Sequence, residues 1–167
     1  MEISQFTYFQ QVGGHDCKPI TGEITYGLER LAMFILECDS VMNLPYNSPN
    51  SQRPLKYSDI FLKAEKQYSE WNFNVANTEI IFRHFDDAEK MCQEMLGIGD
   101  LKKKSSSKKN ILVQPAYDQC IKASHLFNVL DSRGVISTAQ RQVYIGRVRA
   151  LAKLCADAYI DEVSSRV

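Results

Sequence analysis

The sequence predicts an α+β fold in which a small antiparallel sheet is followed by a bundle of helices. Near the amino terminus, residues 2–12 and 20–26 are rich in β-branched and aromatic side chains, which favour strands. From residue 57 onward, apolar residues recur every three or four positions, which is the period of an amphipathic helix. Strands therefore come first along the chain and helices follow.

The two strands are expected to form a hairpin. Both faces of the strand over residues 2–12 carry aromatic and polar side chains, which indicates a central strand between a core and a polar cavity. Gly13, Gly14 and Pro19 predict a turn. Because the connection is short, the second strand, over residues 20–26, is predicted to run antiparallel to the first.

The most informative stretch is the junction over residues 22–33, where a strand passes through a glycine into a helix predicted over residues 28–39. Gly27 leaves room for a backbone or a ligand. Arg30 lies in the first helical turn, where its charge opposes the positive end of the helix dipole. A phosphate held between the guanidinium and the helix N–H groups would explain this cation. An ordinary junction with a solvated Arg30 is the alternative.

Loops and helices alternate along the rest of the chain. Residues 40–56 are rich in Pro, Asn and Ser and indicate a loop. The Lys/Ser-rich segment over residues 100–110 predicts a mobile surface loop, although a block of like charge can also bind nucleic acid. Helices are predicted over residues 57–70, with Ser58 as N-cap, over residues 77–96, from Pro115 to a C-terminal Gly134, and from a capping box at Ser137 to about residue 163.

Composition limits the classes of partner. The 20 basic and 20 acidic residues cancel, so no overall field draws the chain to nucleic acid or to a membrane surface. No apolar run approaches the length of a membrane span. The five cysteines are widely separated and form no Cys-x-x-Cys motif, so neither a zinc site nor a disulfide framework is expected. This cysteine pattern favours a reducing cytoplasm.

Six segments of the chain carry a resemblance to one family, namely residues 1–14, 23–30, 115–118, 122–125, 130–137 and 144–149. Together they resemble the α subunit of the bacterial two-subunit glycyl-tRNA synthetase, which is a class II aminoacyl-tRNA synthetase. The resemblance covers almost the whole chain apart from the Lys/Ser-rich stretch near residues 102–109, which looks like an insertion.

The resemblance also implies that the chain is incomplete. Class II catalytic cores carry three signature motifs on a larger antiparallel sheet, and only the third is present, at residues 25–30. We therefore expect residues 1–42 to correspond to the carboxy-terminal piece of such a core, without motifs 1 and 2, and residues 43–167 to form a helical domain. A remnant sheet leaves an unpaired edge and an uncovered apolar face. We expect the polypeptide to self-associate or to depend on its helical part, and to be inactive alone.

The resemblance implies ATP-dependent activation of glycine with Mg²⁺, followed by transfer of glycine to tRNA(Gly). Arg30 would hold the γ-phosphate of ATP, because its planar fork matches phosphate oxygens. Gly27 would leave room for the adenine or the ribose. Glu29 would orient Arg30 or a metal-bound water, and Glu23 would serve the metal or the glycine ammonium.

The candidate glycine pocket lies on the first strand. A glycine site needs a small volume and a polar lining, because there is no side chain to recognise. Core packing and sheet hydrogen bonding are the alternative for each candidate, and the pattern leaves open which face of the strand lines the pocket. The candidates are Gln5, Thr7, Tyr8 and Gln10.

The resemblance further implies a heterotetramer with a second α subunit and a β subunit. The basic side of the last predicted helix, with Arg141, Arg147 and Arg149, is a candidate surface for tRNA or the β subunit, and a solvated face is the alternative. A different reading of the whole chain is a non-catalytic helical module that binds a protein or RNA.

Overall fold

The computed structural model describes residues 2–98 and 111–165. In these segments a two-stranded antiparallel sheet is followed by five α-helices, so the predicted α+β class is confirmed. The predicted loop over residues 100–110 lies outside the described residues. The elements are β1 (Ser4–Val12), β2 (His15–Tyr26), α1 (Leu28–Ile35), a 3₁₀ turn (Val41–Asn43), α2 (Tyr57–Glu70), a π-helical turn (Trp71–Val75), α3 (Thr78–Met95), α4 (Val113–Ser132) and α5 (Thr138–Ser164).

Packing divides the chain into two compact units. The first unit comprises Met1–Gln10 and Cys17–Trp71, and the second comprises Gln11–Asp16 and Asn72–Val167. The tip of the hairpin therefore packs with the helices of the second unit. These units are defined by contacts within the chain and do not test where a catalytic piece ends and a helical domain begins. The predicted domain boundary between residues 42 and 43 therefore stays a prediction.

The hairpin turn consists of two glycines. Gly13 and Gly14 have φ angles of +60° and +87°, and positive φ at both central residues is typical of the type I′ turn that matches the twist of a hairpin. The prediction that Pro19 belongs to the turn is wrong, since Pro19 lies inside β2. Proline is tolerated there because β2 has a partner on one side only among the described residues.

Helix α1 is shorter than predicted and ends at Ile35 rather than near residue 39. Glu37 has a φ of +51°, which turns the chain out of the helix. The Cys38 N–H donates to Met33 O at 2.8 Å and the Glu37 N–H donates to Phe34 O at 3.4 Å. This pair of bonds is the Schellman motif, with Glu37 at the position that glycine usually occupies.

The predicted loop over residues 40–56 is confirmed, and hydrogen bonds hold it in one conformation. The Tyr46 N–H donates to Leu55 O at 2.8 Å, and the Leu55 N–H donates to Asn47 Oδ1 at 2.8 Å. At the start of α2, the Asp59 carboxylate accepts from the Lys56 N–H at 2.8 Å. The prediction of Ser58 as N-cap is wrong, because α2 already begins at Tyr57 and the Asp59 carboxylate occupies its end.

The second unit buries the apolar stripes that the sequence predicts on its three helices. The Ser137–Gln140 capping box and the left-handed Gly134, with φ of +65°, are also confirmed. No helix in the two described segments is long and apolar enough to cross a membrane. The buried stripe residues include Ile81, Phe85, Ala88 and Cys92 on α3, Ala116, Cys120, Ala123, Phe127 and Leu130 on α4, and Leu151 and Cys155 on α5.

The three helix cysteines are packing residues, as predicted. Cys92 Sγ lies 3.8 Å from Cys155 Sγ, and both thiols are buried and free. Burial raises the pKa of the Cys92 thiol to about 12, and burial likewise raises the pKa of Cys120. Thiols with such pKa values stay protonated at neutral pH and behave as small apolar groups.

Candidate functional site: a cleft at the strand–helix junction

The junction between β2 and α1 opens on a cleft of about 640 Å³ within the first unit. This volume lies in the range of about 300–1,000 Å³ that is common for small-molecule sites. The polar part of the cleft is lined by residues from the start of β1, the end of β2 and the first turn of α1. Of the predicted site residues, the cleft brings together Gln5, Gly27, Glu29 and Arg30.

Arg30 is exposed in this cleft, and its guanidinium is held by one backbone group. Its Nη1 donates to Glu2 O at 2.9 Å, just before β1 begins. Within residues 2–98 and 111–165 the Arg30 guanidinium forms no salt bridge. A guanidinium has five N–H donors, so most of this fork remains available for the oxygens of an anion.

Gly27 supports the corner in two ways. Its N–H donates to Ile3 O at 2.9 Å, which joins the end of β2 to the chain before β1. Its φ of −81° suits any residue, so the backbone does not require glycine here. A Cβ would instead lie 3.5 Å from Arg30 Cδ and 3.7 Å from Ile3 O. Both distances are ordinary van der Waals contacts, so a Cβ would fit here and would occupy the space beside the arginine stem that the glycine leaves open.

The two glutamates differ in their relation to the cleft. Glu29 lines it and lies in the first turn of α1, where a carboxylate interacts favourably with the helix dipole. Glu23 is outside the set of lining residues, and its carboxylate accepts from Thr25 Oγ1 at 2.5 Å. Thr25 itself lines the cleft, so Glu23 is one hydrogen bond away from it.

The described residues contain no cluster of three or more His, Cys, Asp or Glu side chains that could hold a metal ion. Mg²⁺ is often bound through one or two carboxylates together with substrate phosphates. Glu29 provides one carboxylate in the cleft, which suits a Mg²⁺ that arrives on a nucleotide rather than one held by the protein alone.

The four candidates for glycine binding are not brought together. Gln5 lines the cleft, whereas Thr7, Tyr8 and Gln10 are not among its lining residues. Tyr8 stacks on Phe6 with 6.5 Å between ring centroids, on the strand face opposite to Gln5. Glycine binding by these residues stays a prediction, and the geometry favours the face that carries Gln5.

The apolar part of the cleft was missed by sequence reasoning. Besides Ile3, which precedes β1, it is formed by Met33 on α1, Val41 on the 3₁₀ turn and Tyr57 at the start of α2. No motif marks Val41 or Tyr57, because the folding of the intervening loop brings them to the cleft. Spacing along the chain carries no signal for such an approach.

Two of the three candidate arginines on α5 form ion pairs inside the second unit. Arg141 Nε lies 3.0 Å from Asp131 Oδ2 on α4. Arg147 donates to both Asp86 and Glu89 on α3, with 2.6 Å from its Nη2 to Asp86 Oδ1. Arg149 is exposed. Binding of tRNA or a β subunit by this side of α5 stays a prediction.

The aromatic surroundings of Arg147 strengthen its structural role. Its guanidinium carbon lies 4.5 Å from the Phe85 ring centroid and 4.9 Å from that of Tyr144. The hydrogen bonds that Arg147 donates to Glu89 and then to Asp86 raise the pKa of its guanidinium, which therefore remains charged. This side chain joins α5 to α3.

Comparison with known protein families gives a match over nearly the entire chain. The family described as glycyl-tRNA synthetase alpha subunit matches residues 1–164 of the 167. The chain belongs to this family, which is a family of aminoacyl-tRNA synthetases and thus of ligases that serve protein biosynthesis. The resemblance found in the sequence is thereby confirmed.

Proposed function

We propose that the cleft binds ATP through Arg30 and that the chain takes part in the activation of glycine for transfer to tRNA(Gly). The observation that carries this proposal is the Arg30 guanidinium, which lies open in a cleft of about 640 Å³ with a backbone carbonyl as its hydrogen-bond partner. The alternative is an arginine that is simply solvated or paired on the surface, and that alternative does not explain why the guanidinium lies in a cleft. Membership of the synthetase family supports ATP as the anion.

The chemistry that follows depends on charge neutralisation. A carboxylate oxygen of glycine attacks the α-phosphorus of ATP, and the bond to the departing pyrophosphate breaks, which leaves glycyl-adenylate. A hydroxyl of the terminal adenosine of the tRNA then attacks the glycyl carbonyl and releases AMP. Arg30 at the γ-phosphate would hold the triphosphate and stabilise the charge on pyrophosphate.

The neighbouring residues have supporting roles in this proposal. Gly27 leaves space beside the arginine for the adenine or the ribose, and Glu29 orients Arg30 or a water of the magnesium complex. Glu23 acts through Thr25 or on the glycine ammonium. Mg²⁺ would neutralise phosphate charge when it is bound with ATP, and the carboxylate of Glu29 in the cleft fits that arrangement.

Exposed apolar side chains on the first unit support the proposal that other subunits cover this surface in the active enzyme. Leu28, Phe34 and Ile35 on α1 are 71–73% exposed, and Ile24 and Tyr26 at the end of β2 are 57% and 60% exposed. Apolar side chains concentrated in this way mark surfaces that are covered in the working assembly. We propose that a second α subunit and a β subunit complete the assembly, that the chain alone does not form adenylate, and that it acts in the cytoplasm.

The test is ATP binding by calorimetry in the presence of Mg²⁺, with Arg30→Ala, Arg30→Lys and Arg149→Ala as variants. We expect Arg30→Ala to weaken binding about tenfold or more, because a charge-assisted bidentate contact is lost. Arg30→Lys should recover part of the affinity through its charge. Arg149→Ala, an exposed arginine on the other unit, should bind as the parent does.

Two results would count against this proposal. Equal ATP affinity in the parent and in Arg30→Ala would remove Arg30 from the site. Binding of RNA without any ATP binding would instead favour a non-catalytic helical module. Separately, turnover by the chain alone in ATP–pyrophosphate exchange would refute its expected inactivity.

A further inference from the structure

The apolar wall of the cleft includes Met33, Val41 and Tyr57, and each of these three side chains is half-buried. Tyr57 is the aromatic member and the only one contributed by α2. It thus brings to the cleft a residue from a helix that the sequence assigns to another domain.

Backbone hydrogen bonds fix the position of Tyr57. Its N–H donates to Leu44 O at 2.8 Å, and the adjacent Lys56 forms an antiparallel bridge with Pro45. Leu44 is 5% exposed, so this anchor is itself buried in the first unit. The start of α2 is therefore held against the segment that follows α1.

The ring of Tyr57 also packs against a second aromatic ring. It lies 4.5 Å from the ring of Phe61, one turn further along α2, and the ring of Tyr46 packs edge-on against Phe61 at 5.9 Å. Of these three aromatic residues, Tyr57 alone lines the cleft. A ring that is fixed in this way binds a ligand with little loss of side-chain entropy.

We propose that Tyr57 is a further substrate-binding residue, which contacts the adenosine part of the ATP whose triphosphate is held by Arg30. This inference rests on the proposed function. A nucleotide combines a polyanion with an apolar base that has two π faces, and the cleft offers a free guanidinium and a fixed aromatic ring in one volume. Aromatic rings bind bases by stacking, whereas phosphates prefer the guanidinium.

The experiment separates the two halves of the ligand. Adenosine, inorganic tripolyphosphate and ATP are each titrated against the chain, with saturation-transfer NMR for the weak adenosine complex. The variants are Tyr57→Ala, Tyr57→Leu, which keeps an apolar side chain, Tyr57→Phe and Arg30→Ala. Tyr68→Ala is the matched control, because Tyr68 lies on the same helix, is 70% exposed and is not among the lining residues.

We expect Tyr57→Ala and Tyr57→Leu to weaken adenosine and ATP binding by about tenfold, as loss of one stacking partner typically does. Both should leave tripolyphosphate binding unchanged, and Tyr57→Phe should bind all three ligands like the parent. Arg30→Ala should show the converse, with loss of tripolyphosphate and retention of adenosine. Thermal unfolding identifies any variant that has lost its fold. If Tyr57→Ala does not fold, Tyr57→Leu still tests the inference, because it keeps an apolar side chain at this position.

Unchanged adenosine and ATP binding in Tyr57→Ala and Tyr57→Leu, with weakened ATP binding in Arg30→Ala, would overturn this inference and leave the proposed function standing. Weakened adenosine binding in the Tyr57 variants, with ATP unaffected by Arg30→Ala, would support Tyr57 and overturn the role of Arg30. Absence of binding to all three ligands in the parent overturns both.

Discussion

Glu37 occupies a backbone position that is unfavourable for a residue with a Cβ. Its φ of +51° completes the Schellman motif at the end of α1, and in most helices glycine occupies this position. The left-handed conformation costs an L-residue about 1–2 kcal/mol, while glycine loses about 0.5–1 kcal/mol more backbone entropy on folding than alanine. The strain and the entropy loss thus oppose each other.

We expect Glu37→Gly to raise the free energy of unfolding by about 0.5–1 kcal/mol, since relief of the strain exceeds the added entropy loss. Chemical denaturation of the parent and the variant measures the change. Glu37→Ala serves as the control, because it removes the carboxylate but keeps the Cβ and should bring no gain. A gain in Glu37→Ala as large as that in Glu37→Gly would show that charge, and not backbone strain, is responsible.

Arg30 and Tyr57 show which site residues could be predicted from the sequence. Arg30 was predicted to face an anion because a cation in the first turn opposes the helix dipole, and the structure leaves that guanidinium open in a cleft. Tyr57 carried no such signal, since an aromatic residue at the start of a helix is ordinary. Local sequence patterns reveal a residue, such as Arg30, whose charge is unfavourable in its own helix. They do not reveal a residue, such as Tyr57, that reaches the cleft only because the intervening loop folds back.

Among the elements, the closed end of the hairpin packs closely against α5. A Cβ on Gly13 would lie 2.5 Å from Ala156 Cβ, so only glycine allows this approach. Beside it, Asp157 Oδ1 lies 2.7 Å from His15 Nε2 and accepts from Lys153 Nζ at 2.9 Å. The hairpin tip is thus held against α5 by packing at Gly13 and by the contact between His15 and Asp157.

These partners determine the effect of pH on the hairpin tip. Hydrogen bonds from Lys153 and then His15 hold the pKa of Asp157 below its ordinary value of 3.8. The carboxylate therefore contributes stability above pH 3.8, and this contribution is lost as the pH falls through the lowered pKa in the folded state.

We expect Asp157→Asn to be less stable than the parent near pH 6 and equal to it at the acidic end of the range. The measurement is urea denaturation at a series of pH values between about 2 and 6. Because the carboxylate is exposed, the difference should be small and should shrink in high salt. Asp161→Asn on the same helix is the control and should show a flat difference. A constant difference for Asp157→Asn would contradict the ion-pair explanation.

Prediction of the elements succeeded where a pattern of several residues was at work. The periodic stripes on α3, α4 and α5 located those helices within a few residues, and the paired glycines located the hairpin turn. Ends that depend on one side chain were less certain: Ser58 was predicted as a cap, but the Asp59 carboxylate accepts the Lys56 N–H instead. A stripe is defined by several residues at the helical period, so one atypical residue does not hide it. A helix end depends on a single cap, and any of several neighbouring polar side chains can provide it.

On the scale of the whole molecule, the two units differ in how well their apolar residues are covered. The second unit has two core clusters, in which Phe85, Leu130 and Leu151 are almost completely buried. In the first unit, Leu44 has low exposure, while Leu28, Phe34 and Ile35 project from α1 and are more than 70% exposed. The sheet beside α1 has two strands in the described residues, so each has an unpaired edge.

This contrast predicts self-association of the isolated chain through the first unit, because burial of large apolar side chains stabilises a contact by about 25 cal/mol per Å². Sedimentation velocity over a range of concentrations should show mass above that of one chain, and the double variant Phe34→Glu, Ile35→Glu should shift it toward the monomer. Val143→Glu on α5, which is 61% exposed, is the matched control and should associate like the parent. If the parent is monomeric at every concentration, or if Val143→Glu dissociates it equally well, the exposed face of α1 is not the surface through which copies of this chain meet. Association lost only in the double variant would identify that face as the surface through which copies of this chain meet.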